Sequence, residues 1–348
     1  MKYFLLLILI MLPHTTKLFA FEDFSKGPLH GKNMFIPFLI HYSFPSLQAK
    51  SGERHDFRYH FSMYYINDVR YQDRIPDFPD RRYETQYIHI DYESWVLELG
   101  FAYNIFNNLQ IGTTKRLFSF YGGFLDPTIE GFHHFFGLPM GGRQVFLQNQ
   151  IYINIPNDNG ITLFLDKPVT AFGDIDLWGK WTFLENRSLS LAAMGAFKLP
   201  TGRLESLTGS GYPDAALGLL MDFRANPLIT LYTQAGVVLP FNRRSHTMFN
   251  GLLGVELHPW SFLSFVLQMD IKTSPIREST LKASMNNRFG TNFYQYSLPQ
   301  TNILGGIVLQ HKGFRWQIYF EQDSITNQGA DITFSIMFAH TINLKQEN

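Results

Sequence analysis

The sequence contains no cysteine. This absence excludes disulfide bonds, thiolate metal sites, a cysteine nucleophile and a lipid-anchored N-terminal cysteine. Charge is also scarce, because charged residues make up 17 % of the chain against roughly 25 % in an average globular protein. The 29 basic and 29 acidic residues cancel, so the chain lacks the basic surface that nucleic-acid binding requires. We therefore expect no nucleic-acid partner.

Long hydrophobic runs are missing as well. The apolar run at residues 4–12 is too short for a transmembrane helix, which needs about 20 residues. Lys2 precedes this run and Ala20 ends the stretch after it, which is the layout of a secretory signal. The sequence predicts a signal peptide over residues 1–20 and a single domain over residues 21–348. An exported chain without a membrane helix is either soluble or a membrane β-structure.

Aromatic residues are abundant, at 16 % of the chain, and many follow a period of two. In residues 263–271, Leu263, Phe265 and Leu267 alternate with polar residues such as Ser264 and Gln268. The same alternation occurs in residues 57–65, 174–183 and 314–321. Segments of this kind are typical of a transmembrane β-barrel. We therefore expect outer-membrane lipid to be the partner of the apolar faces.

The connections between these segments distinguish a barrel from a secreted sandwich. About twelve segments are predicted, and tight turns alternate with long polar connections, as in bacterial outer-membrane barrels. Residues 35–44 resemble a further strand, which lies either in the lumen or beside another strand near residues 150–155. The predicted fold is therefore all-β, a transmembrane antiparallel β-barrel of about 12 strands in the bacterial outer membrane, with 14 strands as the alternative.

Residues 127–136 predict a short helix between strands. Asp126 followed by Pro127 marks its start and Gly137 its end, because these residues are favoured at those helix positions. The helix either plugs the lumen or caps its mouth. We expect a constriction whose phenylalanines pack on the inner wall and whose arginine binds a lumen carboxylate. Its predicted residues are Phe132, Phe135, Phe136 and Arg143.

The polar strand faces predict a lumen with charges of both signs. A ring of one sign would select ions strongly, whereas mixed signs favour salt bridges within the wall. The predicted lumen-lining residues are Arg58, Asp174, Asp176, Trp178, Lys180, Tyr232, Arg315, Tyr319 and Glu321.

Enzymatic and metal-dependent functions find little support. His60 and Ser62 have the spacing of a lipid-hydrolase pair but share the polar face with Arg58, whereas such a pair must face lipid. His133 and His134 are adjacent, so on a helix they point in different directions and do not form one metal site. The sequence predicts no enzyme activity, no metal site and no cofactor.

Several short segments carry a resemblance to a known family. They are Gly-Gly-Phe-Leu-Asp at residues 122–126, Phe-His-His-Phe-Phe-Gly-Leu-Pro at 132–139, Gly-Arg at 142–143, Phe-Gly-Asp-Ile at 172–175, Lys-Leu-Pro-Thr-Gly at 198–202 and Gly-Ser-Gly at 209–211. In this order they resemble a bacterial domain-of-unknown-function family, number three-one-eight-seven. The Gly-Asp-Ile and Leu-Pro-Thr-Gly segments are also similar to barrels linked to aromatic-degradation pathways. The resemblance implies an outer-membrane barrel and supplies no catalytic residue.

Three classes of function remain open at this point. The first is a passive channel or importer for a small-molecule solute. The second is a structural or surface-interaction barrel, with residues 67–85 and 273–300 as contact loops. The third is an envelope-lipid hydrolase. The openness of the lumen distinguishes the first class from the second.

Overall fold

The computed structural model describes residues 25–32, 34–36, 38–71, 89–137, 148–155, 163–242, 245–275, 299–323 and 332–345. The predicted signal peptide lies outside these residues. Within the described ranges, no helix is both long enough and apolar enough to span a membrane.

Fourteen β-strands form one antiparallel sheet in this part of the chain. The strands are β1 (Asp56–Tyr71), β2 (His89–Phe106), β3 (Leu109–Tyr121), β4 (Tyr152–Ile155), β5 (Leu163–Leu165), β6 (Val169–Glu185), β7 (Leu189–Leu199), β8 (Asp214–Asn226), β9 (Ile229–Pro240), β10 (Met248–Trp260), β11 (Leu263–Lys272), β12 (Gln300–His311), β13 (Phe314–Asp323) and β14 (Ile332–Asn343).

Twelve of these strands close into a barrel. β1 pairs with β14 from Asp56 opposite Asn343 to Asn67 opposite Ile332, and with β2 on its other side. β4 and β5 form a short hairpin that joins the beginning of β2. The prediction of an all-β barrel of about 12 strands is confirmed, and β4 and β5 are additional to it. Closure leaves the barrel without the unpaired edge that promotes aggregation.

The connections differ between the two ends of the barrel. At one end, which we call the turn end, β12 and β13 are joined by Lys312 and Gly313 with φ angles of 47° and 81°. A two-residue hairpin of this type needs positive φ at both positions, which suits glycine. At the opposite end, which we call the loop end, long connections such as residues 200–213 join the strands.

The outer surface of the barrel is apolar. In β11, Phe265, Leu267 and Ile271 are exposed, whereas the alternating residues Gln268 and Asp270 are buried. Other strands repeat this pattern with exposed Phe, Leu, Ile and Trp side chains. An apolar outer band with polar residues inside is the arrangement that a membrane-spanning barrel requires.

The predicted short helix is present as α1 (Asp126–Phe136), at the loop end. The backbone nitrogens of Phe124 and Leu125 donate to Glu93 of β2, at 3.1 and 2.7 Å. Glu93 also accepts a hydrogen bond from Tyr65 of β1, and both residues lie on the outward face of their strands because they alternate with lumen-facing neighbours. The start of α1 is therefore fixed to the outer side of the wall.

The far end of α1 bears on the predicted constriction. Gly137 ends the helix with a φ of +66°, as expected of a helix-terminating glycine. The Phe135 side chain is 80 % exposed, so it does not pack on the inner wall in this conformation. The side chains of Phe132 and Phe136, and the whole of Arg143, lie outside the described part of the structure. The constriction at α1 therefore stays a prediction.

The interior of the barrel is filled by residues 25–32, 34–36 and 38–51, which we call the plug. Lys26 lies at the turn end, where its Nζ donates to the Trp260 carbonyl at 3.2 Å. The plug reaches the loop end at a short 3₁₀-helix, Phe38–Ile40, and returns to the turn end before β1. The described residues between 35 and 44 therefore do not form a strand. The strand was expected from the apolar residues of this segment alone. Of the two expected placements, the lumen is the one observed.

The apolar part of the plug forms the main hydrophobic core of the protein. Near the loop end, Phe35 and Leu39 pack in one buried cluster with the inward-facing Phe118 and Phe120 of β3. Fully burying such a side chain contributes about 1.5–3 kcal/mol. The core of this barrel is thus formed between the wall and the plug, because the inward-facing side chains of the wall do not fill the interior alone.

Candidate functional site: the plugged lumen

The first limb of the plug is held mainly through its backbone. Both carboxylate oxygens of Glu256 accept hydrogen bonds from the backbone nitrogen of Lys26, at 2.8 and 3.0 Å. One of them also accepts from the backbone nitrogen of Gly27, at 3.2 Å. Gln268 accepts from the Leu29 nitrogen at 3.0 Å. Wall side chains therefore satisfy backbone groups that have no strand partner, as buried backbone requires.

A buried ionic cluster attaches the middle of this limb. Glu98 of β2 pairs with Lys32 of the plug through one carboxylate oxygen. Its other oxygen accepts hydrogen bonds from the Nε2 atoms of His30 and His60, at 2.7 and 3.2 Å. Because a carboxylate only accepts hydrogen bonds, both Nε2 atoms act as the donors. The cluster joins the plug to β1 and β2.

Three residues of this cluster are potential metal ligands that lie close to one another. The ligand atoms of His30, His60 and Glu98 all lie within 4.8 Å. Glu98 is already engaged by two imidazoles and an ammonium group, which together satisfy its buried charge. Attachment of the plug therefore explains this arrangement.

At the loop end, a second buried cluster surrounds the tip of the plug. The Nζ of Lys198 donates to the Ile40 carbonyl at 3.0 Å, to Asp174 at 2.7 Å and to Ser210 at 2.9 Å. Asp214 lies 3.4 Å from the same nitrogen. Lys198 therefore links the plug to three parts of the barrel rim.

This second cluster brings together the short motifs found in the sequence. Asp174 of the Gly-Asp-Ile segment accepts a hydrogen bond from the Gly202 nitrogen of the Leu-Pro-Thr-Gly segment at 2.7 Å. A β-carbon placed on Gly209 would lie 2.6 Å from the Asp174 carboxylate, so the Gly-Ser-Gly segment can approach this closely only with glycine. The motifs thus fold the 200–213 loop against the tip of the plug.

The returning limb is bound in the same manner. The Nζ of Lys180 donates to the carbonyl oxygens of Gln48 and Lys50, at 2.7 and 2.8 Å. Asp222 accepts from the Lys50 nitrogen at 3.1 Å. Both limbs of the plug are therefore held by polar side chains of the barrel wall.

The structure places the predicted lumen residues as follows. Asp174, Asp176, Trp178, Lys180, Tyr232, Tyr319 and Glu321 are buried on inward-facing strand positions, and Arg58 and Arg315 are half-buried beside the plug. Several of them contact plug backbone directly, including Tyr319, whose hydroxyl donates to the His30 carbonyl at 2.5 Å. The expected mixture of charges is present, but its partners lie on the plug as well as on the wall.

Sequence reasoning missed the residues that form the first ionic cluster. Glu98 stands at an inward-facing position of β2, so the period-two pattern of that strand was a signal for it. Lys32 and His30 lie in a stretch without periodicity, and no sequence signal marks them as lumen residues. His60 and Ser62, considered above as a hydrolase pair, both face the interior: His60 binds Glu98 and Ser62 is buried.

Comparison with known proteins shows what this chain is similar to. The profile of a family described as a protein of unknown function, DUF3187, matches residues 83–298. The chain belongs to this family. The DUF3187 match begins after the plug and β1, and it includes the Asp174–Lys198 cluster with its 200–213 loop. A search of curated protein sequences finds no match.

Several solved structures are similar to this chain at low sequence identity. An outer membrane channel from Pseudomonas putida F1 has a TM-score of 0.55 at 8 % identity, with 86 % of this chain and 100 % of that chain covered. The NanC porin has a TM-score of 0.43 at 6 % identity, with 82 % of this chain and 100 % of that chain covered. The Pseudomonas putida toluene transporter TodX has a TM-score of 0.39 at 8 % identity, with 91 % of this chain and 99 % of that chain covered. At such low identity the first similarity shows a common β-barrel fold and no more.

Proposed function

We propose that this protein is a bacterial outer-membrane channel for small molecules, which the plug closes and which opens when the plug leaves part of the lumen. The observation that carries this proposal is the way the plug is attached. Wall side chains bind the plug through hydrogen bonds and ion pairs, and along the described ranges the only covalent connection is the main chain that continues from residue 51 into β1. Such contacts exchange with water when the plug moves.

The energetics of these contacts favour a closed but releasable plug. A hydrogen bond within the protein contributes about 0.5–1.5 kcal/mol net, because water replaces it when it breaks. The wall groups that hold the plug, such as Glu256, Gln268 and Lys180, would therefore be solvated in an open lumen. The apolar tip around Phe35 and Leu39 has no such replacement, so its burial keeps the closed state favoured.

Orientation and location follow the usual arrangement of bacterial barrels. Short turns face the periplasm and longer loops face the outside, which places the turn end, with Lys26, on the periplasmic side. The signal peptide predicted over residues 1–20 would deliver the chain for insertion, and its apolar outer band would contact lipid. The role is transport, with no enzymatic step.

A surface-interaction barrel is the second candidate, and the filled lumen is the observation that favours it. A barrel that acts only through its loops has no need to open. The two candidates therefore differ in whether weakening the plug produces conductance.

The first prediction concerns Glu256→Gln. The substitution keeps the shape of the side chain but replaces an anionic acceptor of two plug nitrogens with a neutral amide. Hydrogen bonds to charged groups contribute about 1.5–3 kcal/mol, so the open population should rise by roughly 10- to 150-fold. Open probability in planar bilayers measures this change.

Glu205→Gln is the matched control for this variant. It makes the same change of charge at an exposed position in the 200–213 loop, away from the plug nitrogens. We expect its open probability to equal that of the wild type. Equal open probabilities for all three proteins would remove support for the channel and favour the surface-interaction barrel.

A further inference from the structure

A small enclosed cavity lies between the two limbs of the plug and the wall. Pro28 and Gln48 of the plug line it, together with Arg58, Trp178 and Arg315 of the wall. Its volume is about 30 Å³, and one water needs about 10–15 Å³. The cavity therefore has room for one small ion or for two waters.

The charge around this cavity is positive. Arg58 of β1 and Arg315 of β13 both line it, and Arg315 is the charged neighbour that acts most strongly on Arg58. Lys180 adds a second repulsive cation near Arg58. Across the residues that the structure describes, neither guanidinium forms an ion pair with a carboxylate. Two like charges in a region of low dielectric repel each other strongly.

The carboxylates near the cavity compensate one of the two guanidinium groups. Glu256 attracts Arg315, and it keeps its negative charge because the groups that donate to it, the backbone nitrogens of Lys26 and Gly27 and the Tyr232 hydroxyl, are neutral. Glu98 is paired with Lys32. Arg58 is therefore the guanidinium whose charge has no carboxylate partner among the described residues.

Two hydrogen-bond donors at the cavity also lack acceptors. The Nε1 of Trp178 and the Nε of Arg315 are buried, and neither has a hydrogen-bond partner among the described residues. Trp178 is 7 % exposed, so bulk water does not replace the missing partner. Buried polar atoms are nearly always satisfied. Both atoms are donors, so a group bound in this cavity has to accept hydrogen bonds from them.

Small wall residues stand opposite the three side chains that line the cavity. Arg58 pairs across the sheet with Ala102, and Arg315 pairs with Ala339. Gly112 lies opposite Trp178, and a β-carbon on it would collide with the indole ring. These small residues leave the space into which the cationic and indole groups project.

We propose that Arg58, Arg315 and Trp178 bind one small monovalent anion, chloride or a carboxylate group of the size of formate, between the plug and the wall. An anion compensates the charge of Arg58 and accepts the hydrogen bonds that the cavity offers. Water accepts hydrogen bonds but does not offset the charge. This site is independent of whether the barrel transports a solute.

The test compares thermal unfolding of the full-length protein in detergent with sodium chloride, sodium formate or sodium gluconate at equal ionic strength. Gluconate is too large for the cavity, so the unfolding midpoint should be higher in chloride or formate, because a ligand that binds the folded state stabilises it. Arg58→Gln should lose this difference. Arg187→Gln, at an exposed turn, is the control and should retain it.

Crystals soaked in sodium bromide give a second measurement, on the wild type. An anomalous peak beside Arg58, Arg315 and Trp178 is expected. If Arg58→Gln does not fold, Arg315→Gln and the bromide peak decide. A higher unfolding midpoint in chloride alone identifies the bound anion as a halide. A higher midpoint in formate as well shows that the site takes small monovalent anions of both kinds. Equal midpoints in the three salts, an unchanged difference in Arg58→Gln, or no bromide peak would overturn the proposal.

Discussion

Removal of residues 25–51 is expected to convert a mostly closed protein into an open pore. The mean current through planar bilayers should rise at least about tenfold, because a barrel of this size is not filled by its wall side chains alone. The strand pairs that close the barrel, including β1 with β14, do not involve the plug, so the barrel should still insert. Exposure of Phe118 and Phe120 to water should lower its thermal stability.

A second deletion makes this experiment discriminating. Residues 128–137 cover most of α1 and the glycine that ends it, and the sequence predicts a constriction here. The start of α1 is bound to the outer side of the wall through Glu93, so this deletion should leave the current unchanged if the plug alone closes the lumen. A large current after the second deletion and none after the first would restore the constriction at Phe132, Phe135 and Phe136.

The other large effect is expected at Glu98. Glu98→Leu leaves the Lys32 ammonium group buried without its partner and removes the acceptor of both histidines. Removing one member of a buried ion pair costs about 3–5 kcal/mol, which corresponds to an increase in transient opening of roughly 150- to 4,000-fold. Amide hydrogen exchange of plug residues should accelerate by this factor, while the barrel strands retain their protection.

A double variant distinguishes the ion pair from simple packing. Glu98→Leu combined with Lys32→Met replaces both charges with apolar groups, an exchange that is often neutral for a buried pair. Slow exchange of the plug should largely return in this variant. If the double variant exchanges as fast as Glu98→Leu alone, the pair does not hold the plug.

The sequence predicts the barrel because its signal is local. Alternation along one strand, as in residues 263–271, shows which side chains face lipid without knowledge of any other segment. The plug has no comparable signal. Its backbone bonds to side chains more than 200 positions away, as Lys26 does with Glu256, and no periodicity within residues 25–51 specifies these partners.

The helix α1 illustrates a second limit of local patterns. Its phenylalanines have the spacing of an apolar face, and this predicts burial against some surface without specifying which one. The position of Glu93, on the outward face of β2, determines where the helix begins. That information lies in a different strand, so the pattern of the helix alone does not contain it.

The most direct test of the plug as a gate is a reversible disulfide between plug and wall. The chain has no cysteine, and a β-carbon on Gly31 of the plug would touch the side chain of Leu304 on β12. Gly31→Cys combined with Leu304→Cys should therefore place two thiols within disulfide range. In single-channel recordings, we predict that the oxidised protein stays closed and that openings appear when reductant is added. Equal open probabilities in the oxidised and reduced states would contradict the account.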